Sequence, residues 1–230
     1  MSKQEFNEYH HKYSKTVEDS IRFSGLEHSF FHLSKAHKLK ELVSLNFGVT
    51  NRPNLLDVGC GVGALHPYIE STFEKIIGID VSSASIIEAA KNHPQHSYLH
   101  YDGQRLPFDD NTFDMTLAVC VMHHVPKELW ENFLAEKSRV TRPGGVVCLI
   151  EHNPVNPATR LSVARCPFDA DAVLLGARQM RQRLKFASLD SVFSEHFVFF
   201  PTNNAPFRAL ERKLKWLPLG AQYLAVGKKK

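Results

Sequence analysis

Residues 55–63 read Leu-Leu-Asp-Val-Gly-Cys-Gly-Val-Gly, and no other segment restricts the fold as much. A short apolar run reaches Asp57 and passes into Gly59, Gly61 and Gly63, the pattern of a buried strand opening into a glycine-rich turn. Such a turn lets the backbone approach a ligand closely and sets N–H groups of the following helix against it. A second apolar run, Ile-Ile-Gly-Ile-Asp at 76–80, ends in an acid twenty-one residues beyond Gly59. Nucleotide-binding α/β units place a ribose-binding carboxylate at about that spacing.

From these two runs the pattern alternates. Strands are expected at about 54–58, 75–79, 97–101, 114–119 and 146–151. Helices are expected after Gly63, at 83–92 before Pro94, and at 127–140, with a turn at Pro143-Gly144-Gly145. Interleaved strands and helices mean an α/β fold whose sheet is mainly parallel, with ligands outside the carboxyl ends of the strands. Upstream, Phe30, Leu33, Ala36, Leu39, Leu42 and Val43 keep three- and four-residue spacing, which predicts a helix over 29–46. Beyond Glu151 the Asn153, Pro154, Asn156, Pro157 cluster reads as an irregular loop. A helix is expected from 169 to 187, with late strands at 197–200 and 222–226.

The 230 residues, 43% hydrophobic, suffice for one good core. No apolar stretch approaches the ~20 residues that span a bilayer, and the opening Met-Ser-Lys-Gln-Glu lacks the apolar region of a signal peptide. A cytoplasmic protein is expected. Cys60, Cys120, Cys148 and Cys166 form no Cys-x-x-Cys pair and read as reduced, buried thiols. The net charge of +4 lies largely in the last twenty-five residues and does not imply a nucleic-acid partner. Thirteen histidines form no recognisable zinc pattern, so no metal is expected, and His28 and His32 read as surface residues of a helix.

Four motifs in order, Asp-Val-Gly-Cys-Gly-Val-Gly (57–63), Gly-Ile-Asp-Val-Ser (78–82), Tyr-Asp-Gly-Gln-Arg-Leu-Pro-Phe-Asp-Asp-Asn-Thr-Phe-Asp (101–114) and Arg-Pro-Gly-Gly (142–145), resemble those of class I S-adenosylmethionine-dependent methyltransferases. Gly-x-Gly-x-Gly, rather than Gly-x-Gly-x-x-Gly, separates the chain from dinucleotide-binding oxidoreductases. The resemblance implies a Rossmann-like three-layer sandwich with a seven-stranded sheet of order 3-2-1-4-5-7-6, its last two strands an antiparallel hairpin. It implies one domain over 1–230, with an N-terminal helical cap or lid (1–50), a cofactor-binding core (51–152) and substrate-side helices with the edge hairpin (153–230). The implied cofactor is S-adenosyl-L-methionine, with S-adenosyl-L-homocysteine as product. Gly59, Gly61 and Gly63 would cradle its methionine half, and Asp80 would accept hydrogen bonds from both ribose hydroxyls. Asp102 and Gly103 would meet the adenine, and Asp57 would anchor the glycine loop or reach the ammonium through water. Cys60, Val81 and Val119 complete the implied cofactor-binding set.

Methyl transfer asks the protein for positioning, desolvation and, for a hydroxyl acceptor, a base. His123 and His124, just past the fourth strand, and His152, in the Glu151-His152-Asn153-Pro154 run, are the candidates, with His124 favoured. The same histidines could pack structurally instead. Glu-His-Asn-Pro, with Arg160 and Arg165-Cys166-Pro167-Phe168-Asp169, resembles a bacterial subgroup of methyltransferases. No Asn/Asp-Pro-Pro-Tyr follows the fourth strand, which disfavours exocyclic-amine methylation of DNA or of protein glutamine. In 207–219, Phe207, Leu210, Leu214 and Leu217 oppose Arg208, Arg212, Lys213 and Lys215. That helix is either core-facing with a solvated charged face or a contact for a membrane or lipid-linked substrate. A small-molecule acceptor methylated on oxygen is the favoured expectation, ahead of carbon or nitrogen. The alternatives are an RNA or protein methyltransferase and a non-catalytic cofactor-binding homologue; oligomeric state is not written in the sequence.

Overall fold

The computed structural model describes residues 19–22 and 25–230. The first long helix, α1 (His28–Phe47), ends at Gly48. Then follow β1 (Asn54–Val58), the short α2 (His66–Ile69), β2 (Lys75–Asp80), α3 (Ser83–Asn92), β3 (Ser97–His100) and β4 (Phe113–Val119). The chain continues through α4 (Trp130–Val140), β5 (Thr141–His152), α5 (Pro157–Arg165), α6 (Ala177–Phe186), β6 (Leu189–Phe197), α7 (Ala205–Leu214) and β7 (Gln222–Lys229). One seven-stranded sheet runs β3-β2-β1-β4-β5-β7-β6, the expected order. The first five strands pair in parallel, and β7 joins β5 and β6 antiparallel.

Strand β5 shows why the sheet lies at the centre. Val146 to Ile150 are all fully buried, and alternate residues enter opposite cores. Val147 and Leu149 meet Leu134 of α4 with Met180 and Leu184 of α6. Val146, Cys148 and Ile150 meet Leu39, Leu42 and Val43 of α1. A strand covered on both faces reads as a continuous apolar run, and here it is one. Leu33, counted in the apolar stripe of α1, is 41% exposed instead.

Local corrections fall mostly in the last third. The loop expected after Glu151 contains α5: Pro157 takes the first helical turn and the Asn156 side chain accepts from Thr159 N at 2.9 Å. The helix expected from 169 begins only at Ala177. The intervening chain turns at 167–171 and then runs without helix to Gly176, with Val173 N donating to His123 O and Tyr223 Oη donating to Leu175 O. Strand β6 starts at Leu189, eight residues before the expected position, because its half-polar sequence conceals an edge strand. Strand β7 runs on into the terminal lysines, with Lys228 opposite Asp190. Pro143-Gly144-Gly145 is a bulge inside β5 rather than a turn before it. Between Phe113↔Thr141 and Met115↔Val146 three extra residues are absorbed, with Gly144 at φ +75°.

Candidate functional site

A cavity of about 710 Å³ opens where the parallel strands end, a size typical of small-ligand sites. Its lining includes Asp57, Gly59, Cys60, Gly61, Asp80, Val81, Asp102, Gly103 and Val119, together with His123, His124 and His152. Gly63 is the exception. A Cβ there would lie 2.8 Å from Tyr98 Oη and 3.1 Å from His93, so that glycine permits packing behind the loop.

The glycine loop is built for close approach. Gly59 and Cys60 both donate to Ile79 O, at 2.7 and 3.0 Å, which fixes the end of β1 to β2. Gly59 sits at φ +80°, and a Cβ would stand 2.5 Å from Val121. Gly61, at φ +54°, has open space where its Cβ would be, on the cavity side. Asp80 closes the loop from below: Oδ2 accepts from Gly61 N at 2.8 Å and Oδ1 from Ser82 N at 2.9 Å. Burial raises the Asp80 pKa, against those two N–H groups. Asp102 Oδ1 accepts from Gln104 N and Arg105 N, shaping the turn that carries Gly103 at φ +84°.

Asp57 is 3% exposed. Its Oδ2 pairs with His66 Nε2 at 3.0 Å, and His66 Nδ1 lies 2.7 Å from Tyr98 Oη. Its Oδ1 is buried without a hydrogen-bond partner. A carboxylate oxygen left so at a cavity wall calls for a ligand donor, since buried acceptors are otherwise satisfied. The His66–Tyr98 relay behind Asp57 carries no short-range sequence signal, because its members come from α2 and β3.

The wall beyond β4 and β5 divides the histidines by environment. Cys120 holds φ +56° and turns the chain, so that the Glu151 carboxylate lies under the next three residues. Glu151 Oε1 accepts from Val121 N at 3.1 Å and Met122 N at 2.8 Å, while Oε2 meets His123 Nδ1 at 2.5 Å. His123 Nε2 lies 3.5 Å from Asp169 Oδ1. Burial opposes a charge on His123, but Glu151 and Asp169 outweigh it and hold its pKa well above the usual imidazole value. Burial with the neighbouring His123 charge pushes His124 and His152 down to about 4, so both are neutral near pH 7. The Glu-His-Asn-Pro run thus splits into three tasks. Glu151 supports the loop and His152 faces the cavity. Asn153 donates to Pro218 O and Gly220 O, fastening the β7 turn.

Helix α1, within the segment expected as a lid, supplies part of the cavity lining. His28, Phe31, His32 and Lys35 share one face and border the cavity. His32 is buried and stacked on Tyr68 at 5.3 Å, not a surface residue, and burial beside Lys35 lowers its pKa to about 2. Lys35 is only 6% exposed and brings a positive charge to the cavity wall. The i, i+3, i+4, i+7 spacing was the available signal, hidden because the face is polar. Helix α7 spends its basic side chains locally. Arg208 donates to His37 at 2.6 Å, Arg212 pairs with Glu41 at 3.4 Å, and nearby Lys215 pairs with Glu195 at 2.6 Å. Phe207 and Leu210 stay over 40% exposed, so the stripe is not core-facing. Among the described residues no helix is long and apolar enough to cross a membrane.

Residues 56–149 match Methyltransf_11, the family of a methyltransferase domain. Over this segment, less than half of the chain, the sequence is similar to that family. The phthiotriol/phenolphthiotriol dimycocerosates methyltransferase of Mycobacterium tuberculosis is 31% identical over 156 residues, 66% of this chain and 53% of its own length. The demethylmenaquinone methyltransferase of Staphylococcus aureus is 36% identical over 131 residues, 53% of each chain. The chain spans about half the length of these curated relatives. A solved SAM-dependent methyltransferase of Thermotoga maritima, described as a possible histamine N-methyltransferase, has the same fold. Its TM-score is 0.69 at 18% identity, over 96% of this chain and 99% of that one.

Proposed function

We propose that this protein binds S-adenosyl-L-methionine and methylates a hydroxyl of a small, largely apolar acceptor. The observation that carries the reading is the continuity of one cavity, with the glycine loop and three aspartates at one end and histidines over Asp169 at the other. The residues present fit the cofactor. Gly61 leaves open a cradle that a side chain would fill, the buried Asp57 Oδ1 awaits a donor, and the Asp80 carboxylate suits a pair of ribose hydroxyls. Asp102 and Gly103 stand where the adenine would lie. The cofactor supplies an electrophilic methyl group when bound.

This chain's own residues supply the rest. Phe31, Phe133, Phe199 and Phe200 give the cavity apolar walls that exclude water from an acceptor. Relatives named for phthiotriol dimycocerosates and for demethylmenaquinone support an apolar acceptor. His124 is the favoured proton acceptor. It is neutral near pH 7, and its Nε2 lies 3.4 Å from the Asp169 carboxylate, which stabilises the imidazolium once formed. His123 already holds its proton between Glu151 and Asp169, so it positions the loop instead.

Methyl release measured against pools of apolar alcohols and phenols tests the reading. His124→Gln should lower turnover by about 10²- to 10⁴-fold with cofactor affinity and melting temperature held. An unchanged rate in that variant removes the base, and transfer confined to amines removes the oxygen acceptor.

A further inference from the structure

His123, His124 and Asp169 each offer one ligand atom at the cavity wall, and the three atoms lie within 4.8 Å of one another. Asp169 Oδ1 is 3.5 Å from His123 Nε2 and 3.4 Å from His124 Nε2. Both distances exceed the ~2.9 Å typical of an N–H···O hydrogen bond. They match the edge of a tetrahedron around a common ion, roughly 3.4 Å for metal–ligand bonds near 2.1 Å. The rings of His123 and His124 lie 4.2 Å apart, so adjacent residues on one short turn present both nitrogens to one carboxylate.

We infer that His123, His124 and Asp169 form a binding site for a divalent first-row transition-metal ion, with Glu151 as the group that orients His123. The donor set is two imidazoles and one carboxylate, which suits such ions and leaves positions open to a ligand. Glu151 Oε2 accepts a hydrogen bond from His123 Nδ1–H, so a bound ion would displace the proton on Nε2 and use that nitrogen. Metal-ligating histidines are routinely held this way through the other ring nitrogen. Glu151 is in turn fixed by the N–H groups of Val121 and Met122. Asp169 is carried to the site by the short turn at Pro167–Asp169, whose Asp169 N donates to Cys166 O.

The open positions face the acceptor end of the cavity. A hydroxyl bound there would lose its proton to bulk water, its O–H electron pair staying on the oxygen, because a bound dication lowers hydroxyl pKa values by several units. The inference rests on the methyltransferase reading for this role, but not for binding of the ion itself. With the ion in place His124 is a ligand, and the loss of rate in His124→Gln would report loss of the ion.

Calorimetric titration of the full chain, first stripped with a chelator, separates the two. ZnCl₂ and S-adenosyl-L-methionine are titrated independently into wild type, Asp169→Asn and His124→Gln. One zinc per chain is expected in wild type, weakened about tenfold or more in each variant, while the cofactor titration stays unchanged. Co²⁺ loaded into wild type should show the visible absorption of a His/carboxylate site of low coordination number, a readout that needs no variant. Absence of zinc heat, or zinc affinity equal to wild type in both variants, overturns the site even if the cofactor binds. Loss of the cofactor titration with zinc binding intact overturns the methyltransferase reading and leaves the site standing.

Discussion

Glu151 is the side chain on which the geometry of the candidate acceptor wall most depends, and Glu151→Gln tests that dependence. The carboxylate is 2% exposed and serves three donors at once, Val121 N, Met122 N and His123 Nδ1. Burial works against charge on both partners. Their attraction, with Asp169 behind His123, overrides it, holding Glu151 below the ordinary 4.5 and His123 well above 6.5. Removing one partner of a buried pair costs about 3–5 kcal/mol. Glutamine keeps an oxygen for the two backbone donors, so the lower end applies, about 3 kcal/mol, or a fall of about 6–12 °C in melting temperature at this chain length. The sign with pH follows from the two shifts. The Glu151 contribution is present above its unfolded value and is lost as pH falls through the depressed folded value. The His123 contribution is present below 6.5 and is lost as pH rises through the raised folded value. Urea denaturation of wild type and variant should therefore differ most between about pH 5 and 6, and less near pH 9. A melting temperature within about 1 °C of wild type, or a difference that does not vary with pH, would refute the reasoning.

Gly59→Ala places a methyl against Val121 at a positive φ and should cost about 1–3 kcal/mol of stability. Gly61→Ala meets open cavity, so it should lose cofactor affinity with a smaller fall in melting temperature; equal melts for the two would contradict the geometry. Lys137 is fully buried with no hydrogen-bond partner for Nζ, which lies over the Phe133 ring, and burial lowers its pKa to about 7. Lys137→Met should stabilise the fold by a few kcal/mol, on the order of 1–4. Because the unfolded chain binds the extra proton between pH 7 and 10.5, that advantage should be full at pH 7 and shrink as pH rises; thermal melts at two pH values read it. Deletion of residues 1–24 should leave the sheet folded and sharply reduce methyl transfer, since Ser20 and Ile21 border the cavity; full activity in the truncated chain would reject a lid.

The parallel half of the fold was legible because its signals are local. Strand β1 occupies the expected 54–58, and α3 the expected 83–92 between Ser82 and His93. Apolar runs ending in glycine or aspartate fix the strand ends, and those ends line the cavity. The last third was less legible. Asn156-Pro157 carries loop-forming residues that serve here as a helix start, and β6, Leu-Asp-Ser-Val-Phe-Ser-Glu-His-Phe, lacks a two-residue alternation and lies at the sheet edge. Of the expected N-terminal lid, residues 1–18, 23 and 24 lie outside the described residues, while Phe31 borders the cavity. The distant partners of the site residues escaped for a different reason. Asp169 lies forty-five residues beyond His124, and His66 meets Asp57 only through the glycine loop. Such contacts depend on topology, and no spacing rule exposes them.

The central claim is that the glycine loop and its aspartates hold S-adenosyl-L-methionine, and calorimetry on the purified chain tests it most directly. Wild type should bind the cofactor at one site per chain. Asp80→Ala should weaken binding by about 1.5–3 kcal/mol, the scale of hydrogen bonds to a charged group, or roughly 10- to 150-fold. No heat with wild type, or equal affinity in the variant, would contradict the account.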